Sequence, residues 1–381
     1  MVSYITRINY GAVIAEMEAS THISKSLLSM APTGSFITYG AGQIVSGICG
    51  DRFSPKKLVS YGLTVTVLMN LLIPICRNPY QMLAVWCVNG FAQAFMWPPL
   101  VRLMTALLSA EDYKKTTVKV SWGSSLGTIL IYLISPLFIS TLGWKSVFFF
   151  SAGCGIVMIF VWNKCSYEIK TERKKAAAER KGSNRTLFTP LMICIMLAIM
   201  LQGMLRDGVT TWMPSYISET YHMSSSISIL TGVLLPIFGI VCFQITSWLY
   251  RKKITNPVLC AGVIFGAGTV SAFALFLLSG QNAAFSVLFS AMLTGCMHGV
   301  NLILICMLPA FFKNSGNVST VSGVLNSCTY VGSAASTYGI ALLSERFGWH
   351  YTLLTWLLIG TAGTVLCLAC IRAWKKRMET E

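Results

Sequence analysis

Charge is what this sequence has least of. Only 11% of its 381 residues are Asp, Glu, Lys or Arg, where a soluble globular chain carries about 25%. Acidic residues are the scarcer kind, 13 against 29 basic ones, leaving a formal net charge of +16. With 54% hydrophobic residues and a mean hydropathy of +0.65, the composition excludes a soluble fold and makes the bilayer the solvent. Histidine is nearly missing, four in all, and the 13 cysteines are scattered through apolar segments without metal-ligand or disulfide spacing. They read as small packing residues, and neither metal nor cofactor is expected. No nucleophile–base pair or phosphate-binding glycine loop stands at usable spacing, so the chain is not expected to be an enzyme. The basic surplus has no soluble face to sit on, which argues against nucleic acid as a partner. No charged n-region with a small-residue cleavage site precedes the first apolar stretch, so no cleaved leader is expected.

What the chain has in quantity is long apolar runs. They fall near 1–18, 27–49, 58–76, 80–108, 118–140, 144–163, 187–213, 226–249, 257–279, 284–312, 318–342 and 349–373. Each except the first is long enough to cross ~30 Å of hydrocarbon at ~1.5 Å per residue. The first has six residues before Arg7, so helix 1 reads as truncated: its true start lies upstream, or the helix is short.

Lys and Arg gather in alternate connections: Arg52, Lys56 and Lys57; Lys114, Lys115 and Lys119; the segment 164–186; Arg251, Lys252 and Lys253; and Lys375, Lys376 and Arg377. The opposite connections hold only Lys25, Arg77, Lys145 and Arg346. The positive-inside rule then places both termini in the cytoplasm of a multi-pass cell-membrane protein. The expected organisation is all-α, with twelve transmembrane helices in two six-helix halves at 1–163 and 187–373. A basic cytoplasmic linker at 164–186 joins them, and a cytoplasmic tail follows at 374–381. The linker reads as a solvated tether near anionic membrane lipid, and the protein is expected to be a monomer.

Two arginines interrupt the apolar runs, Arg7 and Arg206, 199 positions apart. Arg52 and Arg251 repeat that offset. TLGWKSVFFF near the start of stretch six is echoed by RFGWHYTLLT near stretch twelve. The echoes point to an internal duplication. An arginine at membrane depth is costly, roughly 2.5–3.5 kcal/mol on insertion scales, and so marks function by default. Two at equivalent places suggest one anion held at a pseudo-symmetric centre.

The segment GDRFSPKK resembles the loop signature of the major facilitator superfamily, G-x-x-x-D-R-x-x-x-K/R, read here from Gly47 through Asp51 and Arg52 to Lys56. A carboxylate and a guanidinium at a helix end can pair and lock one conformation, or bind the C-terminal carbonyls of a facing helix. Within the superfamily, three stretches resemble the organophosphate:phosphate antiporter family. They are YITRINY in helix 1, GFAQAFMWPPLVRLM in helix 4 and MLRDGVTTWMPSYI in helix 7. Arg-x-Asn alone is shared with the anion:cation symporter family.

The resemblance implies that Arg7 and Arg206 hold the substrate anion as guanidinium forks and that Gln93 lines the site. Two departures follow from the same comparison. Gln43 stands where glycerol-phosphate members carry a lysine, and Ser124 or its neighbour Ser125 where they carry a histidine. Asp207 is added beside Arg206. The site is thus less cationic than a glycerol-phosphate site, which leaves a singly charged or zwitterionic anion, or another phosphate ester, as cargo.

Tyr4, Asn9 and Tyr39 lie on expected pore helices and join the candidate binding residues, with helix packing as the plainer role. Asp207, His298 and Glu16, the last with Glu18 nearby, are candidate proton-coupling groups; a packing contact or a helix-end position is the plainer role. Pro98 and Pro99 are expected to kink helix 4, and Pro236 helix 8. The first functional expectation is a secondary active transporter of a small organic anion, working by alternating access in exchange for phosphate. The alternative is a proton-coupled carboxylate or sugar-acid symporter on the same fold. A minor alternative is a non-transporting organophosphate sensor.

Overall fold

The computed structural model describes residues 1–23, 25–167, 189–223, 231, 234–313 and 317–380. Most of the expected linker, 168–186, falls outside the described residues. Among the described residues helices are the only regular structure, as the bilayer requires when every backbone polar group must find a partner within its own segment.

In chain order the helices are α1 (Val2–Thr21), α2 (Lys25–Arg52), α3 (Pro55–Leu72), α4 (Pro79–Gln93), α5 (Trp97–Leu107), α6 (Ala110–Leu142), α7 (Lys145–Cys165), α8 (Pro190–Tyr221), α9 (Leu234–Lys252), α10 (Pro257–Leu278), α11 (Ala283–Asn301) and α12 (Val318–Thr380). α12 is broken at Gly348, and α11 continues through a π-helical turn (Leu302–Met307) and a 3-10 turn (Leu308–Phe312).

Eight helices among the described residues are long and apolar enough to cross a membrane. The stretches at 1–18, 27–49, 80–108 and 318–342 are helical as well but more polar or broken. α1 carries Arg7 and Glu16, α2 and the first arm of α12 are rich in Gly, Ser and Thr, and 80–108 is divided into α4 and α5.

Local signals set the helix starts. Asn78, Thr189 and Asn256 each cap a helix whose first residue is proline, with the side-chain oxygen accepting from a first-turn N–H. Proline at that position loses no hydrogen bond, because the first N–H groups have no intrahelical acceptor. The break at Ala94–Met96 sits just before Pro98 and Pro99, in keeping with the expected kink. Pro236 lies within the described part of α9, and residues 232–233 before it lie outside the described residues.

The chain divides into two compact units: 1–113 with 122–180 and 309–327, and 114–121 with 181–308 and 328–381. In the first unit α2 runs along α4, and α3 along α7. Its core is aromatic: Tyr10 packs on Trp86 (5.1 Å) and Phe148 (5.9 Å), and Trp86 meets Phe148 edge-on at 5.8 Å. Such pairs contribute ~0.5–1.5 kcal/mol beyond the area they bury. In the second unit α11 is central and packs on α8, α9 and α10.

The duplicated Gly-Trp pair recurs as geometry. Gly143 and Gly348 both take positive φ, 78° and 80°, at the turn into the next helix. His22 and His222 do the same after α1 and α8, at 58° and 53°. Histidine tolerates the left-handed region better than most side chains, and glycine has no Cβ to clash there.

Candidate functional site

In the first unit α1 presents Arg7, only 8% exposed. Its guanidinium lies over the Tyr4 ring, 4.4 Å from the centroid, and near the Tyr39 ring at 4.9 Å. Tyr4 is one helical turn before Arg7, and Tyr39 comes from α2. Two ring faces attract a desolvated guanidinium, by ~2 kcal/mol for a good geometry, without cancelling its charge.

The amide residues around it are committed to holding helices together. Ser3 donates to Gln93 Oε1 (3.1 Å), and Gln93 Nε2 donates to Thr6 Oγ (3.1 Å). Asn9 Nδ2 donates to Asn70 Oδ1 (2.7 Å), while Asn70 Nδ2 donates to the carbonyls of Thr6 (3.1 Å) and Thr66 (2.9 Å). Asn89 adds a third α1 anchor, at the same Thr6 carbonyl (3.3 Å). Gln43 donates to the Ala94 carbonyl (3.4 Å) and accepts from Asn326 Nδ2 (3.0 Å). Of the eight residues read as substrate contacts, the structure thus gathers Tyr4, Arg7 and Tyr39 in one cluster. Asn9, Gln43 and Gln93 sit in interhelical bonds. Ser124 is half-buried on α6.

In the second unit α8 presents Arg206 and Asp207. Adjacent helix positions are ~100° apart, yet the long arginine side chain folds back and makes a two-pronged pair. Nε donates to Asp207 Oδ1 (2.7 Å) and Nη2 to Oδ2 (2.8 Å). Ser333 of α12 also donates to Asp207 Oδ2, and its one hydrogen is shared with the Thr329 carbonyl (2.9 Å). His298 lies within electrostatic reach of both residues. Its Nδ1 is 2.8 Å from the Thr294 carbonyl; a carbonyl only accepts, so Nδ1 carries the hydrogen. The ring packs edge-on against Phe243 at 5.6 Å. Glu16 is exposed on α1, and the Glu18 side chain lies outside the described residues.

Two residues that the sequence reading did not single out belong here. Gln202, one turn before Arg206, is fully buried and donates to the Met297 carbonyl (3.0 Å). It stands 199 positions after Ser3, and Met297 stands 204 after Gln93, so the bond between α8 and α11 repeats the one between α1 and α4. Arg102 is the other. It donates to the carbonyls of Gly50 and, at 3.2 Å, Phe53, at the end of α2.

The loop-signature residues have distinct partners. Asp51, 6% exposed, accepts from the backbone N–H groups of Ser319 (2.9 Å) and Thr320 (2.7 Å) in the first turn of α12. A carboxylate there meets both free donors and the positive end of the helix dipole. Lys56 donates to the Ser166 carbonyl (2.7 Å) after α7, and Arg52 is exposed. Two glycines permit this approach of α2 and α12: a Cβ on Gly323 would collide with the Gln43 carbonyl and lie 3.0 Å from the Gly47 Cα.

Comparison with known proteins bears on the family and the fold. The sequence profile of the Major Facilitator Superfamily matches residues 1–337. A protein named membrane sensor protein UhpC, from Salmonella typhimurium, is 23% identical over 92% of this chain and 83% of its own. A probable hexose phosphate transport protein from Chlamydia muridarum is 22% identical, covering 91% and 83%. Among solved structures, the proton:xylose symporter XylE superposes with a TM-score of 0.78 at 12% identity, over 96% of this chain and 93% of that one.

Proposed function

Since this chain belongs to the Major Facilitator Superfamily, we propose that it is a secondary active transporter of a small organic anion, with Arg7 and Arg206 as the anion clamp. The observation that carries the reading is Arg7 itself: a guanidinium 8% exposed, flanked by Tyr4 and Tyr39, inside a membrane protein. Such a charge is retained at depth when it binds something. The repeated Ser3–Gln93 and Gln202–Met297 bonds support equivalent roles for the helices that bear the two arginines.

On this reading two six-helix halves, 1–163 and 187–373, rock around the anion and expose it to each side in turn. Both termini and the basic linker face the cytoplasm, where the linker meets anionic lipid, and the working unit is a monomer. A hexose-phosphate relative favours a phosphate ester exchanged for phosphate. The Asp207 carboxylate and nearby His298 favour the second reading, proton-coupled uptake of a carboxylate or sugar acid. A relative named as a sensor keeps a third in play, binding without transport.

Counterflow in proteoliposomes separates the three. Vesicles loaded with phosphate are offered labelled glycerol-3-phosphate, a hexose phosphate and a sugar acid at pH 6 and pH 8. Exchange that needs internal phosphate identifies the antiporter. Uptake without it, faster at low outside pH, identifies the symporter; binding with no flux identifies the sensor. Arg7→Ala and Arg206→Ala should each abolish uptake at unchanged expression, and normal uptake by either would remove the clamp.

A further inference from the structure

A cavity of about 460 Å³ opens at the junction of α2 and α3, lined by Arg52, Phe53, Ser54, Lys57, Leu58 and Tyr61. From Pro55 onward α3 is long and apolar enough to span a membrane, so the cavity lies where a membrane interface meets the helix ends. The cations of this short segment point in different directions. Lys56 donates to the Ser166 carbonyl (2.7 Å). Arg52 and Lys57 are exposed and line the cavity. The adjacent carboxylate of Asp51 is turned elsewhere, with its oxygens on the N–H groups of Ser319 and Thr320.

Between the two cations stands Ser54. Its Oγ is buried and meets no hydrogen-bond partner among the described residues, and it makes no bond to the first turn of the helix it caps. A buried hydroxyl is disfavoured until something satisfies it. Beyond the cavity the face of α3 turns apolar. Tyr61 (67% exposed), Leu68 (51%) and Leu72 (42%) follow Lys57 at spacings of four, seven and four residues, which keeps them on one side of the helix.

We propose that this cavity binds the phosphate headgroup of an anionic membrane lipid. Arg52 and Lys57 hold the phosphate oxygens, Ser54 Oγ donates to one of them, and an acyl chain lies along Tyr61, Leu68 and Leu72. Arginine meets phosphate as a planar fork and lysine as a point charge. A soluble anion would use the cations and the hydroxyl alone; the exposed apolar face beside them is what favours a lipid. A ligand that binds only the folded chain stabilises it, here at the connection where Asp51 caps α12 and Arg102 holds the Gly50 and Phe53 carbonyls.

The test follows unfolding of the full chain, purified in detergent and stripped of lipid, as phosphatidylglycerol, phosphatidylcholine or inorganic phosphate is added. Phosphatidylglycerol should raise the midpoint saturably and phosphatidylcholine less. Arg52→Gln with Lys57→Gln should weaken the apparent affinity for phosphatidylglycerol about tenfold, since each basic residue near an anionic lipid surface adds to the attraction. Lys252→Gln with Lys253→Gln removes the same charge from exposed positions at the end of α9 and should leave that affinity unchanged. Ser54→Ala, which removes no charge, should weaken it as well, and decides the matter should the Arg52–Lys57 double variant not fold. Wild-type affinity in both the double variant and Ser54→Ala overturns the inference. So does an equal loss in the Lys252–Lys253 control, which would mean a general basic surface, or equal stabilisation by phosphatidylcholine. A shift with inorganic phosphate that the Arg52–Lys57 substitutions abolish would make this a soluble-anion site and overturn the lipid assignment.

Discussion

Asp51 offers the most direct test of the packing. Its two oxygens cap the N–H groups of Ser319 and Thr320 across sequence separations of 268 and 269 residues. Asp51→Asn keeps the shape but leaves a single acceptor. One amide oxygen can still serve Ser319 or Thr320, and the NH2 group then points a donor at the other N–H. At least one hydrogen bond to a charged group is lost, ~1.5–3 kcal/mol. Removing a negative charge from a helix N-terminus adds about 0.3–1 kcal/mol. Taking about 2–3 kcal/mol, and 2–4 °C per kcal/mol for a unit of 150–250 residues, the melting temperature should fall by about 4–12 °C. Fluorescence-monitored unfolding of the purified protein in detergent reads this directly. Arg52→Gln is the control: it changes the neighbouring charge at an exposed position and should move the midpoint by no more than about 2 °C. If Asp51→Asn melts with wild type, the carboxylate does not hold the start of α12 and the argument fails.

Two further predictions concern helix contacts. Asn70→Ala removes donors to the Thr6 and Thr66 carbonyls and strands Asn9 Nδ2; stability should drop by about 1–3 kcal/mol in the same melt, and an unchanged midpoint would count against the amide network. Gly323→Val places a branched side chain where even a Cβ collides with the Gln43 carbonyl. It should separate α2 from α12 and reduce counterflow at least tenfold, whereas wild-type flux would show that this close approach is dispensable.

Much of the fold is legible in the sequence because the bilayer constrains it so tightly. The apolar runs mark the helices, and the Gly-Trp echo falls where the backbone takes positive φ in both repeats. The residues of the site are less legible. Asn9, Gln43 and Gln93 are recognisable as polar groups at membrane depth, but a polar atom there either meets a ligand or joins two helices. Which it does depends on rotation about helix axes, and one sequence does not record that. The Arg206–Asp207 pair was obscured by the ~100° between neighbouring positions; the flexible arginine stem closes that angle. Arg102 was hidden differently. Its only signal is a basic residue after the Trp-Pro-Pro run, and the carbonyls it caps belong to another helix.

The π-helical turn at Leu302–Met307 has its own consequence. In a regular helix an extra residue rotates everything beyond it by ~100°. In the turn, the Leu308 N–H instead reaches back five residues to the Ile303 carbonyl, and a wider loop of backbone takes up one residue locally. The first repeat interrupts its matching helix too, at Ala94–Met96, with prolines following. Both copies therefore carry an expansion joint partway along the same helix. In the second it is made of six buried residues, so the widened turn offers lipid no unsatisfied peptide group.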